Sequence, residues 1–258
     1  MSLASLFEHT RGERRGALVG YLPAGYPSVE ESKALIGAMV DGGADLVEVG
    51  VPYSDPVMDG PTIQLAADQA LKNGFRLRDL FHVVESVSAR GGRAVVMTYW
   101  NPVHRYGVDA FARDLAAAGG LGLITPDLIP DEAAEWMAAS ERHGLDRIFL
   151  VAPSSSEERL ALTTRASSGF VYATAVMGVT GARDQVGTGA AELVRRTRAH
   201  TDLPIGVGLG VKSREQAAEV AGFADAVIVG SALVTASAQG PEAVRALTAE
   251  LAEGVRAV

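Results

Sequence analysis

Short apolar runs alternate with amphipathic stretches along the whole chain. The runs have the length of buried strands, and the stretches between them repeat apolar residues at the spacing of a helix with one buried face. This alternation is typical of parallel strands joined by crossover helices. The pattern predicts eight strands: Ala17–Leu22, Asp45–Val49, Ala94–Tyr99, Leu121–Thr125, Arg147–Val151, Phe170–Ala173, Ile205–Val207 and Ala226–Val229.

The amphipathic stretches predict the helices. A short capping helix over 2–9 precedes the first strand, and a long loop rich in glycine and threonine covers 176–189. The remaining helices are predicted over 28–41, 62–73, 77–89, 109–118, 131–143, 156–166, 190–199, 213–221 and 241–255.

Eight strand–helix units favour a closed (β/α)8 TIM barrel of the α/β class, and a doubly wound open sheet is the alternative. The chain has 258 residues, of which 48% are hydrophobic, and this length suits a single barrel. No linker or shift of composition divides the chain. We therefore expect residues 1–258 to form a single catalytic domain.

The charge and the cysteine content narrow the class of protein. A net charge of −8 argues against binding to nucleic acid or to an anionic membrane surface. The chain contains no cysteine, which excludes disulfides and thiolate chemistry and fits a reducing compartment. No signal peptide and no apolar run long enough to span a membrane are apparent. We expect a soluble, cytoplasmic protein.

The most informative stretch follows the second strand. Glu48 lies near the end of that apolar strand, where burying a carboxylate is costly unless it is used. Asp59 follows eleven residues later, on the loop that the strand leads into. In a barrel, strand ends and the loops that follow them share one face. The two carboxyls are therefore candidates for an acid–base pair, although Glu48 as a buried structural acid is the alternative.

Two glycine clusters suggest a phosphate site. One contains Gly208 and Gly210 at the end of the seventh strand, and the other contains Gly230 and Ser231 at the end of the eighth. Glycine lets backbone N–H groups approach an anion, and the loops after strands seven and eight often bind phosphate in barrels. Tight βα turns also favour glycine, so only the pairing of the two clusters is informative.

Other polar residues near strand ends are weaker candidates. Tyr172 is the best of the aromatic residues, since a buried phenol can hydrogen-bond a substrate or a carboxylate. Asp55 is as readily a loop cap, and Asp127 as a lone residue is more often an ordinary loop aspartate than a catalytic one. The five histidines show no metal-ligand spacing, so we expect no metal. No constellation for covalent catalysis is present.

One segment closely resembles a known family. Residues 48–64 read EVGVPYSDPVMDGPTIQ, which is similar to the signature E-x-G-x-P-[FY]-S-D-P-x-x-D-G-P-x-I-Q of tryptophan synthase α subunits. The segment 178–181, Tyr172 and both glycine clusters follow in the family's order, so the resemblance covers nearly the whole chain. Trp100 and Ile129 depart from the family's usual residues, and Trp100 is expected to alter the pocket wall.

The resemblance implies a reaction and roles for individual residues. The reaction is the retro-aldol cleavage of indole-3-glycerol phosphate to indole and glyceraldehyde 3-phosphate. Glu48 would move the protons, and Asp59 would accept the hydrogen bond of the indole N–H. The other implied residues are Tyr172 and Thr180 in support of Asp59, Tyr21, Tyr99 and Asp127 in the wall, and Gly181, Gly208, Gly210, Gly230 and Ser231 at the phosphate.

The resemblance also implies a partner. A β subunit carrying pyridoxal phosphate would receive indole within an αββα heterotetramer, and this chain itself would hold no cofactor. The loop with Pro52, Asp55 and Asp59 and the loop 176–189 would face that partner. Three alternatives remain at this point: a stand-alone lyase, a different phosphate-binding barrel such as an isomerase, and a non-catalytic activating subunit.

Overall fold

A computed structural model describes residues 2–175 and 186–257, without the side chains of 186–188. Its parallel strands form one sheet in the order β5-β4-β3-β2-β1-β9-β8-β7-β6. A single residue, Phe149, joins the two outermost strands of this order, so the sheet curls into a nearly closed barrel. The strands are β1 Ala17–Pro23, β2 Leu46–Gly50, β3 Ala94–Met97, β4 Gly122–Ile124, β5 Asp146–Ile148, β6 Leu150–Val151, β7 Val171–Thr174, β8 Ile205–Gly208 and β9 Ala226–Val229.

The helices surround this barrel. None of those within the described ranges combines the length and the apolarity that crossing a bilayer requires. They are α1 Leu3–Gly12, α2 Val29–Asp41, α3 Pro61–Lys72, α4 Asp79–Ala89, α5 Trp100–Tyr106, α6 Val108–Ala117, α7 Ala134–His143, α8 Glu157–Ala166, α9 Val186–Arg198, α10 Arg214–Ala221, α11 Ser231–Ser237 and α12 Pro241–Arg256, with a 3-10 turn at Pro130–Glu132.

The predicted barrel is confirmed, and the doubly wound alternative is wrong. The fifth predicted strand divides into β5 and β6 because its pairing partner changes: β5 pairs with β4, whereas β6 pairs with β7. The short helices α5 and α11 were not predicted, and the helix predicted over 131–143 is a 3-10 turn followed by α7. The loop predicted over 176–189 ends earlier, since α9 begins at Val186. That all 258 residues form one domain stays a prediction.

Apolar side chains form two separate cores. The larger core lies between the strands and the surrounding helices. The smaller one fills the inside of the barrel, where alternate residues of each strand point. Its members are Leu3, Leu6, Phe7, Ala17, Val19, Leu46, Val95, Ile124, Ile148, Phe170, Ala226 and Ile228, with Met97, Leu121, Leu150 and Tyr172 packed against them.

Helix α1 closes the amino-terminal end of the barrel, as the predicted capping helix requires. Ser2 and Ser5 form a reciprocal capping box that starts the helix. The helix then places three fully buried side chains against the interior, and the ring of Phe7 lies 5.8 Å from that of Phe170. The helix thereby covers the end of the interior that lies opposite the carboxyl ends of the strands.

An ion pair fixes the start of β2, the strand that carries Glu48. Arg15 donates from Nη1 and Nη2 to the two carboxylate oxygens of Asp45, each at 2.8 Å, and Asp45 also accepts the backbone N–H of Leu18 at 2.8 Å. The two charged side chains are 8% and 10% exposed. This buried, bidentate ion pair links the segment after α1 to both β1 and β2.

We expect Arg15→Met to lower the free energy of unfolding by about 3 kcal/mol or more, because it leaves the Asp45 carboxylate buried without its partner. Urea denaturation measures this change. The matched control is Lys33→Met, which removes the exposed pair between Lys33 and Glu30 and should cost less than about 1 kcal/mol. Equal effects of the two substitutions would contradict the role given to Arg15.

Candidate active site

A cavity of about 260 Å³ opens at the carboxyl ends of the strands. This volume lies just below the range of about 300–1,000 Å³ that is usual for small-molecule sites. It brings together the strand residue Glu48 and the loop residue Asp59. The full lining is Tyr21, Glu48, Met58, Asp59, Gly60, Ile63, Met97, Leu150, Tyr172, Thr174, Gly208, Leu209, Gly210, Ile228, Gly230 and Ser231.

Glu48 is a buried acid without a counter-charge. It is 1% exposed, and its Oε2 atom has no hydrogen-bond partner. Burial, with a smaller contribution from the charge of Asp59, raises the pKa of Glu48 from 4.5 to about 8. The carboxyl therefore carries its proton at neutral pH. A protonated acid facing a cavity is what proton donation to a substrate needs.

Asp59 lies on the loop between β2 and α3 and is only half-buried. Burial raises the pKa of its carboxyl, and a hydrogen bond from Tyr99 counteracts that rise. Asp59 is thus easier to ionise than its neighbour Glu48. The two acids of the cavity are suited to different roles, one as a proton donor and the other as a negative charge.

Tyr21 and Tyr172 place their phenols beside the two acids. Tyr21 lies opposite Glu48 in the register of β1 and β2. The pKa of each phenol is raised well above its ordinary value, mainly by burial and also by the charges of Glu48 and Asp59. Both hydroxyls therefore keep their protons and are available as donors in the cavity.

Glycine is required where these two phenols pass a neighbouring strand. A Cβ atom on Gly50 would lie 2.3 Å from the Tyr21 hydroxyl, and one on Gly208 would lie 2.6 Å from the Tyr172 hydroxyl. Neither distance is possible between non-bonded atoms. The glycine of the seventh predicted strand end is therefore needed for the close approach of Tyr172, in addition to any contact with phosphate.

The two glycine clusters meet at the same cavity as the acids. Gly208 ends β8 and Gly210 follows it, Gly230 and Ser231 follow β9, and all four line the cavity. Gly210 has φ +76°, in the region that favours glycine. Adjacent strands with short glycine-containing ends give an anion access to backbone N–H groups. Their role as phosphate ligands stays a prediction.

Three residues considered for the wall do not line the cavity. Tyr99 lies behind the Asp59 loop, and its hydroxyl accepts the backbone N–H of Met58 at 3.0 Å. Asp127 accepts the backbone N–H of Trp100 at 2.8 Å, at the start of α5. The Trp100 side chain packs against the core between strands and helices. Whether Tyr99 and Asp127 contact substrate stays a prediction. Thr180 and Gly181 lie outside the described residues.

Sequence reasoning missed half of the cavity lining. Four of the missed residues lie at or next to strand ends and point inward: Met97, Leu150, Thr174 and Ile228. Side chains alternate between the two faces of a strand, so exact strand boundaries would have shown which of them point inward. Ile63 is in the first turn of α3, while Met58 and Gly60 flank Asp59, and Leu209 lies between two predicted glycines. Apolar residues of this kind give no chemical signal in a sequence.

A metal site is not apparent. Within residues 2–175 and 186–257, no group of three or more histidine, cysteine, aspartate or glutamate side chains is arranged to hold an ion. Glu48 and Asp59 are the two carboxyls of the cavity lining. The chemistry that this cavity offers with its own residues is proton transfer.

Comparison with known proteins gives a consistent result. Residues 7–257 match the family model described as tryptophan synthase alpha chain. The chain is similar to the tryptophan synthase alpha chain of Nocardia farcinica, with 66% identity over 98% of this chain and 96% of that relative, and to that of Mycobacterium avium, with 68% identity over 98% of this chain and 94% of that relative.

Solved structures agree with these relatives. A chain of Mycobacterium tuberculosis tryptophan synthase superposes with a TM-score of 0.94 at 65% identity, covering 99% of this chain and 98% of that one. A mutant tryptophan synthase alpha-subunit of Pyrococcus furiosus superposes with a TM-score of 0.82 at 35% identity, covering 93% of this chain and 97% of that one.

The depth of Glu48 has a measurable cost in stability. The pKa of its carboxyl is about 8 in the folded chain and near the ordinary 4.5 in the unfolded chain. Between these values, the unfolded state gives up its proton while the folded state keeps it, so folding loses stability as the pH rises. We expect Glu48→Gln to stabilise the fold by on the order of 3 kcal/mol at pH 7 and by less than about 1 kcal/mol at pH 5.

Urea denaturation at the two pH values tests this expectation. Glu250→Gln is the control, because it removes an exposed carboxyl of α12 and should change stability equally little at both. A Glu48→Gln variant whose advantage does not grow with pH would show that Glu48 is ionised in the folded chain.

Proposed function

This chain belongs to the tryptophan synthase alpha chain family, and we propose that Glu48 and Asp59 carry its reaction, the cleavage of indole-3-glycerol phosphate to indole and glyceraldehyde 3-phosphate. The observation that supports these roles is the unpartnered, protonated carboxyl of Glu48 in one cavity with Asp59 and both glycine clusters. A non-catalytic subunit would have no use for that pair, and the family match over residues 7–257 argues against an isomerase.

Glu48 moves both protons of the reaction. Its carboxyl donates a proton to C3 of the indole ring, which places a positive charge on the ring nitrogen. The resulting carboxylate then accepts the proton of the glycerol hydroxyl next to the breaking bond. That hydroxyl becomes the aldehyde of glyceraldehyde 3-phosphate, and the electron pair of the broken C–C bond restores the indole ring. The proton taken from the hydroxyl leaves Glu48 in its protonated form, ready for the next turnover.

Asp59 stabilises the charge that appears in between. As a carboxylate it accepts the hydrogen bond of the ring N–H, and this bond strengthens when the nitrogen becomes positive. Tyr172 lies within reach of the charges of both acids and supports this arrangement. Thr180 has the same role in the family's pattern and lies outside the described residues.

The phosphate binds opposite the acids, at the backbone of Gly208, Gly210, Gly230 and Ser231. These residues bring backbone N–H groups and the hydroxyl of Ser231 to the cavity. At the three glycines no Cβ atom obstructs the approach of the phosphate to the backbone. Gly181 completes the set in the family's pattern. Binding at the phosphate fixes the indole ring between the two carboxyls. The groups that exchange protons are then already in position, which lowers the barrier to transfer.

We expect Glu48→Gln to abolish indole release while leaving the affinity for a phosphate-bearing ligand within about threefold, since the amide fills the same space but cannot donate an acidic proton. Asp59→Asn should lower kcat by about 10²–10³-fold, the usual loss when a preorganised partner of a developing charge is removed. In the unmodified chain, activity should fall above pH 8, because Glu48 then loses its proton.

An indole-release assay on purified protein and a calorimetric titration with the phosphate ligand measure these effects. Glu250→Gln, far from the cavity, controls for loss of a carboxyl. Substantial turnover by Glu48→Gln would place the acid elsewhere, and an Asp59→Asn variant within about threefold of the unmodified chain would remove Asp59 from the mechanism.

The partner of this chain is a tryptophan synthase β subunit. Structures similar to this chain include tryptophan synthase with an aminoacrylate bound. We propose that the assembly is an αββα heterotetramer, that indole passes directly to β, and that pyridoxal phosphate is held by β alone. The loop that contains Pro52 and Asp55 would face β, together with the loop 176–189.

Exposed apolar side chains support this orientation. Among the described residues, the large exposed ones are Val57, Met58, Leu65 and Ile129, which are between 45% and 76% exposed. Two of them lie on the loop after β2, one in the first half of α3 and one on the loop after β4. These elements share the face that bears the cavity, so a protein covering that face would bury them.

We expect β to raise the rate of indole release, and we expect Val57→Asp to reduce that stimulation by about tenfold or more, because the new carboxylate would be buried at the interface. The measurement is indole release by the chain with increasing β. The control is Glu8→Asp on α1, at the opposite end of the barrel. Turnover that is fast alone and unchanged by β would instead describe a stand-alone lyase.

A further inference from the structure

The loop that carries Asp59 has little support of its own. It runs from the end of β2 at Gly50 to the start of α3 at Pro61 and contains no helix or strand. The backbone N–H of Val51 donates to the carbonyl of Met97 at 2.9 Å and anchors its first residue. A carboxylate on such a loop needs other contacts if it is to hold one position relative to a substrate.

Two side chains supply hydrogen bonds on either side of Asp59. The hydroxyl of Tyr99 accepts the backbone N–H of Met58 at 3.0 Å. The Nε2 atom of Gln64 donates to the carbonyl of Asp59 at 2.6 Å. One bond therefore holds the backbone just before the Asp59 side chain, and the other holds it just after.

Tyr99 is itself held in place. It is 5% exposed, and its ring lies 5.3 Å from the ring of Tyr53. The Tyr53 hydroxyl in turn accepts Nδ2 of Asn101 at 3.1 Å. Tyr99 immediately precedes α5 and Asn101 lies in its first turn, so the start of this helix provides a rigid support behind the loop after β2.

The chemistry of the phenol adds a direct link to the carboxylate. A hydroxyl that accepts an N–H still has its own proton to donate. The carboxyl of Asp59 is the acceptor within its reach, since hydrogen bonding by Tyr99 lowers the pKa of that carboxyl against the effect of burial. Burial raises the pKa of Tyr99, and the N–H groups of Met58, Val57 and Asp59 oppose that rise. The phenol oxygen thus faces the backbone of the loop.

We propose that Tyr99 and Gln64 are positioning residues for Asp59, with Tyr99 holding both the loop backbone and the ionised carboxyl and Gln64 holding the loop backbone alone. This inference rests on the proposed role of Asp59 as the acceptor of the indole N–H. It replaces the expectation that Tyr99 is a wall residue, since Tyr99 does not line the cavity.

The two variants have different signatures. Tyr99→Phe keeps the ring and loses the hydroxyl, so kcat should fall by about tenfold or more while KM stays within about threefold. The acidic limb of the kcat–pH profile should also move to higher pH, because Asp59 loses the donor that favours its ionised form. Gln64→Met should lower kcat by about tenfold and leave that limb in place, since its bond goes to a carbonyl.

The experiment is a kcat–pH series of indole release for the chain with β present. Tyr106→Phe is the matched control: it removes a phenol hydroxyl that donates to Asp114 at 2.6 Å, outside the Asp59 loop, and it should keep the unmodified profile. A second test introduces Tyr99→Phe into the Asp59→Asn chain, where it should cost less than about threefold because the group it positions is gone.

An unchanged acidic limb in Tyr99→Phe, or an equal loss in the Asp59→Asn chain, would overturn the inference. A rise in KM with kcat unchanged would do so as well and would return Tyr99 to the cavity wall. These results are distinct from failure of the proposed function, which would be seen as absent indole release by the unmodified chain with β.

Discussion

The protonated carboxyl of Glu48 is the constraint on which the rest of the site depends. It stands inside the barrel next to the apolar interior core with one oxygen unpaired, and a buried polar atom without a partner points to a functional use. Any positive side chain nearby would ionise the acid and remove its function. Among the described residues, the cavity lining contains no lysine or arginine, which fits the proposal that the glycine-rich ends of β8 and β9 bind phosphate through backbone N–H groups.

The two acids differ because different elements carry them. Glu48 belongs to a strand that is hydrogen-bonded on both sides, so its position and its dryness are fixed by the barrel. Asp59 belongs to a loop and must be held by side chains from its surroundings. A proton donor fixed by the barrel and a negative charge held by neighbouring side chains suit a reaction in which one atom is protonated while charge appears on another.

The sequence was sufficient for the architecture because the alternation of strands and helices is strongly periodic. It also identified both acids, since Glu48 interrupts an apolar strand and the segment to Gln64 resembles a family signature. It was insufficient where the outcome depends on three-dimensional packing. The change of partner at Phe149, the short helices α5 and α11, and the inward side chains of Met97 and Leu150 follow from barrel closure, which no local pattern records.

Tyr99 illustrates the same limit at the level of one residue. Its position after β3 correctly indicated the neighbourhood of the site, but a sequence cannot say on which side of a loop a ring will lie. Only the contact with the Met58 backbone shows that it stands behind Asp59.

Helix α1 touches none of the reacting groups, yet it keeps them in a dry environment. Leu3, Leu6 and Phe7 form the floor of the same interior in which Glu48 stands. Without these side chains, water would enter from the amino-terminal end of the barrel and solvate the carboxylate. The pKa of Glu48 would then fall towards its ordinary value. A segment at the opposite end of the barrel from the cavity therefore helps to set the proton affinity of Glu48.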